Sequence, residues 1–169
     1  ISSPPPRPFH CACPSTCSAF PLYRQLGVDV YQFQLPWSHV ARSRPDNPRN
    51  PNDPAYVWPA FADYAVNEAA SNGIQLAVMV KSTPGWANGG QGVTTAPSNP
   101  KDYADFMFAA SRRYPSVKRW MIWGEPNYGY NFLPMPPNSP VGPRLYAQVL
   151  DAAYGALKEA DKSNIVIGG

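Results

Sequence analysis

The sequence predicts an α/β fold with a parallel sheet: the first half of a (β/α)8 barrel, about strands one to five. Three observations carry this. Segments of strand and helix character alternate along the chain, the pattern of parallel strands joined by right-handed helical crossovers. Connections from helix to strand are tight, at Gly27, Gly73-Ile74 and Pro115-Ser116, whereas those from strand to helix (36–57, 82–100 and 124–142) are long and rich in Pro, Asn, Gly and aromatic residues. The 169 residues suffice for a core, but a complete barrel typically takes about 250. A dinucleotide-binding sheet would carry Gly-x-Gly-x-x-Gly after its first strand, and no such run is present.

In chain order, residues 1–8 read as a proline-rich tail or linker, and 9–169 as one truncated barrel domain. Phe9 to Cys13 is a possible first strand. Cys17 to Leu26 reads as a short helix stopped by Gly27, and Val28 to Leu35, rich in β-branched and aromatic residues, as a strand. Trp58 to Asn72 is predicted helical, with Phe61, Tyr64, Ala65, Glu68 and Ala69 at helical spacing and Gly73 closing it. Gln75 to Lys81 is a near-continuous apolar run, as in a strand buried on both faces. A helix from Lys101 to Tyr114 presents Tyr103, Phe106, Met107, Ala110 and Tyr114 along one face. Asn99 is its expected N-cap, with Pro100 at the first helical position. Lys118 to Trp123 is the next strand. Leu145 to Ala160 is a helix striped by Tyr146, Val149, Leu150, Ala153 and Leu157, and Ile165 to Gly168 opens a further strand. A half barrel would leave the inner face of its strands, such as Val78 and Val80 or their neighbours, without the layers that the remaining strands supply.

Composition narrows the function classes. Charged residues are few, aromatic residues many and the net charge only +3, which gives no reason to expect nucleic acid or an anionic membrane as partner. The longest apolar run, Ile74 to Val80, is too short to span a bilayer. A neutral ligand that stacks on aromatic rings fits better, and carbohydrate is the expected partner. The chain starts at Ile1 without a signal peptide or initiator methionine and stops at Gly168-Gly169, where a strand is ending. Truncation at both ends, a secreted or extracellular location and a partner in the rest of its own barrel are therefore the expectations. The three cysteines, Cys11, Cys13 and Cys17, lie near the start beside His10. Their spacing matches zinc sites poorly, so free thiols or one local disulfide are the readings, and no metal or cofactor is expected.

Long loops at the carboxyl ends of parallel strands are where such folds place their chemistry. Glu125 follows the apolar strand Trp120-Met121-Ile122-Trp123, and Pro126 ends that strand because it cannot donate to the ladder. A carboxyl flanked by tryptophans at a sheet rim should be partly desolvated, which favours the protonated form a general acid needs. A loop glutamate that caps a helix or pairs with Arg119 or Arg144 is the other reading. Trp86 is a platform for a sugar face or a filler of the barrel top, and Trp37 lines a subsite, packs in the core or anchors its loop. Tyr128, Tyr130 and Asn131 lie close after Glu125 in sequence and either line a substrate subsite or belong only to the loop. Lys81 ends its strand at the rim, facing a substrate hydroxyl or an ion-pair partner, and His39 reads as a loop histidine.

Trp123-Gly124-Glu125-Pro126-Asn127 resembles the Asn-Glu-Pro signature of retaining clan A glycoside hydrolases, the 4/7 superfamily, in which the fourth barrel strand ends in the acid/base glutamate. The likeness extends both ways. Gly27 to Gln32, continuing through Leu35-Pro36-Trp37, resembles the second-strand region, and Thr83-Pro84-Gly85-Trp86-Ala87 the loop after the third strand. Tyr103 to Tyr114 is similar to the helix leading into the Glu-Pro strand, and Asn164 to Gly169 to the opening of the fifth. The resemblance implies hydrolysis of O-glycosidic bonds in a poly- or oligosaccharide with retention, Glu125 as general acid/base and a nucleophile on a seventh strand outside this chain. The chain alone would then be inactive. Two positions depart from the pattern: Gly124 stands where the family usually has an asparagine that bonds the substrate 2-hydroxyl, and Gln32 where it usually has an arginine. Asn127 or Gln32 would then share in the altered hydrogen bonding. A carbohydrate-binding relative without turnover is the alternative.

Overall fold

The computed structural model describes residues 18–169. The expected first strand, the proline-rich tail and the His10, Cys11, Cys13 and Cys17 group lie outside the described residues.

Four parallel strands form one sheet in the order β1 (Val30–Pro36), β2 (Gln75–Lys81), β3 (Arg119–Ile122), β4 (Ile165–Gly168). A helix precedes the sheet, α1 (Phe20–Gln25), and helices cross over between successive strands: α3 (Ala60–Ser71), α4 (Pro100–Arg113) and α5 (Val141–Ala160). The four-residue α2 (Trp37–Val40) and a 3-10 turn (Gly85–Ala87) sit in the long loops after β1 and β2. The predicted α/β alternation and parallel sheet are thus present, and no described helix is long and apolar enough to cross a membrane.

The helix boundaries differ from the sequence reading for identifiable reasons. α3 begins at Ala60, because Trp58 belongs to the loop and donates its indole N–H to the Pro51 carbonyl at 2.8 Å. Its buried stripe is Ala62, Ala65 and Ala69, while Phe61 and Tyr64 lie exposed on its flank. Small side chains let the helix approach the sheet, and the aromatic rings lie to one side of the contact. α4 is capped as expected, the Asn99 side chain accepting from the Lys101 N–H at 3.1 Å. Its predicted face of Tyr103, Phe106, Met107, Ala110 and Tyr114 is buried. α5 starts four residues earlier than its apolar pattern, at Val141, and takes in Pro143. Proline is tolerated there because first-turn N–H groups have no helical acceptor.

The sheet has one covered face. Leu35, Val78, Val80, Trp120 and Ile122 are fully buried in the core shared with the helices. Their neighbours Gln32, Gln34, Met79 and Met121 alternate to the opposite face and are half or fully exposed. Val78 and Val80 are therefore on the helix side, and the uncovered face belongs to their neighbours. For the same reason β2 is not buried on both faces over its full length: Ala77 is buried, whereas Met79 and Lys81 are half-exposed.

Two tyrosines hold the carboxyl ends of the central strands. Tyr103 of α4 donates to the Val80 carbonyl at 2.8 Å, and Tyr146 of α5 donates to the Ile122 carbonyl at 2.8 Å. Burial pushes both phenols above their ordinary range, so each stays a neutral donor.

Candidate active site

β3 stops at Ile122, and the chain turns through Trp123 (φ +66°), Gly124 and Glu125 (φ +48°). Left-handed backbone at a tryptophan is a genuine outlier, and two such residues together cost roughly 1–3 kcal/mol each. Packing supplies the compensation. The Trp123 N–H donates to the Val80 carbonyl at 3.0 Å, its side chain is buried against Phe132 and Tyr103, and its indole N–H donates to the Asn131 carbonyl at 2.6 Å. Trp123 therefore points into the core, and the residues after it are thrown outward over the sheet end.

Glu125 projects there and is exposed. The desolvation expected from its flanking tryptophans is absent among the described residues, because Trp123 turns away and Trp120 is on the helix face. Its Oε2 accepts from the Asn131 side-chain amide at 2.9 Å. Glu125 forms no ion pair with Arg119 or Arg144, so the reading as a paired loop glutamate does not hold among the described residues.

A cleft of about 490 Å3 opens on the uncovered face beside Glu125. Gln34, Met79 and Met121, in register across β1, β2 and β3, line it below, and Lys81, Glu125 and Asn131 stand at the rim. Among the described residues Glu125 is the one side-chain carboxylate lining this cleft, and Lys81 makes no ion pair. Elsewhere, no group of three or more His, Cys, Asp or Glu suited to a metal ion occurs among the described residues.

Of the residues proposed from sequence, the structure brings together Glu125, Asn131 and Lys81. Gln32 is on the same face but does not line the cleft; Gln34 does. A strand rises about 3.3 Å per residue, so Gln32 sits roughly 6–7 Å further from the rim. Trp37 is fully buried, packed on Trp86, Tyr103 and Phe106, and has no surface to offer a ligand. Trp86 is half-buried and does not line the cleft. Its indole N–H donates to the Ala41 carbonyl at 2.8 Å and the Arg44 guanidinium lies 4.7 Å from its ring centre, so it ties two loops together. Asn127 and Tyr128 are exposed on the turn beyond Glu125, outside the cleft lining, and Tyr128 packs edge-on against Tyr130. His39 is an exposed residue of α2, the short helix in the loop after β1.

Three cleft residues escape the sequence reading: Gln34, Met79 and Met121. Period-two alternation already puts Gln34 on Gln32's face, but only the strand register identifies which of the two lies beside Met79 in the cleft. The register also explains Gly124. A Cβ at position 124 would lie 2.7 Å from the Met79 sulfur, so the space an asparagine would need is filled from the neighbouring strand.

The same fold occurs among solved structures. A family 39 glycoside hydrolase from the gut symbiont Bacteroides cellulosilyticus WH2 superposes with a TM-score of 0.66 at 21% identity, over 89% of this chain and 28% of that one. A glucosidase from Croceicoccus marinus gives 0.62 at 16% identity, over 87% and 31%. A β-glucosidase from Thermotoga maritima gives 0.52 at 16% identity, over 86% and 35%. The chain shares its fold with glycoside hydrolases over part of their length. It spans about a third of these proteins, between 28% and 35% in the three cases. No protein-family model and no curated protein matches the chain.

Proposed function

We propose that this chain contributes the first strands of a (β/α)8-barrel glycoside hydrolase, and that Glu125 is its general acid/base. The observation that carries the reading is the position of Glu125: a carboxylate at the carboxyl end of a central parallel strand, over a cleft, in a fold shared with glycoside hydrolases. Glu125 protonates the leaving oxygen as the glycosidic bond breaks. A second carboxylate about 5–5.5 Å away, from a strand beyond this chain, forms the glycosyl-enzyme, and water activated by Glu125 then releases the sugar with net retention. Lys81 and Gln34 are placed to meet substrate hydroxyls. The substrate is an O-linked poly- or oligosaccharide, the chemistry requires no cofactor, and the chain alone is inactive for want of the nucleophile.

The test uses the protein with its barrel complete. Glu125→Ala should slow hydrolysis of natural glycosides by about 10²–10⁴, the usual contribution of a positioned general acid. An aryl glycoside with an acidic phenol needs no proton on departure, so its first step is spared and the glycosyl-enzyme accumulates. Azide, which attacks without a base, should restore turnover and give a glycosyl azide of retained configuration. Equal slowing of natural and activated substrates, or no response to azide, would show the assignment to be wrong. Glycan binding by the wild-type protein with no turnover would replace it with a carbohydrate-binding role.

A further inference from the structure

The turn after β3 does more than carry Glu125 outward. Asn131 makes two bonds in opposite directions: its backbone carbonyl accepts from the buried Trp123 indole at 2.6 Å, and its side-chain amide donates to Glu125 Oε2 at 2.9 Å. Between them the chain closes by successive turns, Tyr128 N–H to the Glu125 carbonyl at 3.0 Å and Asn131 N–H to the Tyr128 carbonyl at 2.8 Å. The amide that meets Glu125 is thus seated on the core. The span from Glu125 to Asn131 is fixed at its far end by the buried Trp123 indole and at its near end by the left-handed backbone of Trp123 and Glu125.

We propose that Asn131 is a positioning residue for Glu125: its amide orients the carboxylate, and the Trp123 indole holds Asn131 in place to do so. The physical ground is that an exposed glutamate has three rotatable bonds and, among the described residues, no other side-chain donor, so one charge-assisted hydrogen bond selects its rotamer. A donor to a carboxylate also stabilises the charged form over the protonated one. Lys81 is the other charged side chain lining the cleft, and the Tyr146 hydroxyl lies behind it against the Gly169 N–H. Neither donates to Glu125.

The kinetic part of this inference rests on the proposed function, and the structural part does not, so the test has two arms. In the protein with its barrel complete, the Asn131 side-chain amide protons are followed by NMR through an acid titration. They should shift with a single midpoint, the shift should vanish in Glu125→Gln, and it should weaken in Trp123→Phe, which loses the indole donor but keeps an aromatic ring. Because the core uses the Asn131 carbonyl and not its side chain, Asn131→Ala and Asn131→Asp should fold as the wild type does. In the complete hydrolase, Asn131→Ala should lower kcat on natural glycosides by about tenfold, the value of one hydrogen bond to a charged group, with KM little changed. The alkaline limb of the pH–rate profile should move to higher pH, further in Asn131→Asp, where a like charge faces Glu125. An Asn131 amide that does not respond to Glu125 overturns the proposal, as does an unaltered pH profile in both variants. A responsive amide in a protein where Glu125→Ala leaves hydrolysis untouched would retain the coupling and remove the acid/base reading instead.

Discussion

Gly124 lies at the point where sequence, register and chemistry meet. It sits between two residues with left-handed backbone, and the space beside its Cα is taken by the Met79 sulfur from β2. Methionine is flexible, and Met79 is half-exposed, so a methyl group here displaces a side chain and not the backbone. Gly124→Ala should therefore cost about 1 kcal/mol by urea unfolding, at the low end for an added methyl in a packed site. Met79→Ala should remove most of that cost in the double variant, a coupling that a double-mutant cycle reads directly. Additive effects would show that the two residues do not share the space. Gly142 differs: a Cβ there would meet the Met135 side chain and, at 3.0 Å, the Pro134 carbonyl. Neighbouring backbone cannot yield as a thioether can.

At the scale of elements, α5 gives the matching contrast. Gly155 lies exposed in its interior, with nothing within 4 Å of where a Cβ would be. Gly155→Ala should stabilise the fold by about 0.5–1 kcal/mol, the helix-interior difference between the two residues, and raise Tm correspondingly. An unchanged or lower Tm would mean that this part of α5 does not limit stability. The helix-to-strand joints are also held electrostatically. Lys118, ahead of β3, binds Asp161 beyond α5 at 2.6 Å, and the Ser163 hydroxyl and N–H donate to the same carboxylate. Lys118 first, then Ser163, hold the Asp161 carboxyl well below the usual range. Arg49, from the long loop after β1, likewise lowers Glu159 of α5 while its guanidinium packs over Phe108. Both carboxylates bind protons less readily folded than unfolded. Their contribution is complete above the ordinary carboxylate range and is lost as pH falls below about 4. The urea midpoint should fall from about pH 6 to about pH 3, and less steeply in Lys118→Met. An equal fall in that variant would exclude the Asp161 joint as a source of the acid sensitivity.

For the whole molecule, the two faces of the sheet are unequal. The helix side is sealed by three crossover helices, while the other presents Val30, Gln32, Gln34, Met79, Met121 and Ile165, half or fully exposed. In a closed barrel such positions fill interior layers, and exposed sheet edges invite pairing. Expressed by itself, the chain should self-associate, and sedimentation velocity should detect species larger than the monomer. A cooperatively unfolding monomer would count against the half-barrel reading of the open face.

Sequence by itself determined the alternation of elements, the parallel sheet and the placing of Glu125 at a strand's carboxyl end. These are local properties: the two-residue and 3.6-residue periods, the Asn99-Pro100 helix start, and the Glu125-Pro126 pair close after an apolar run. The same local reading could not separate a ligand platform from packing at Trp37 and Trp86, because an aromatic residue in a rim loop looks alike whether it faces a cleft or a core. Only tertiary structure decided that Trp37 is sealed among Trp86, Tyr103 and Phe106, that Gln34 and not Gln32 lines the cleft, and that Trp123 turns inward and leaves Glu125 exposed with Asn131 as its partner. Each of these depends on strand register or on residues far apart in sequence. Contacts of that kind are set by how the helices pack on the sheet, which no local period encodes.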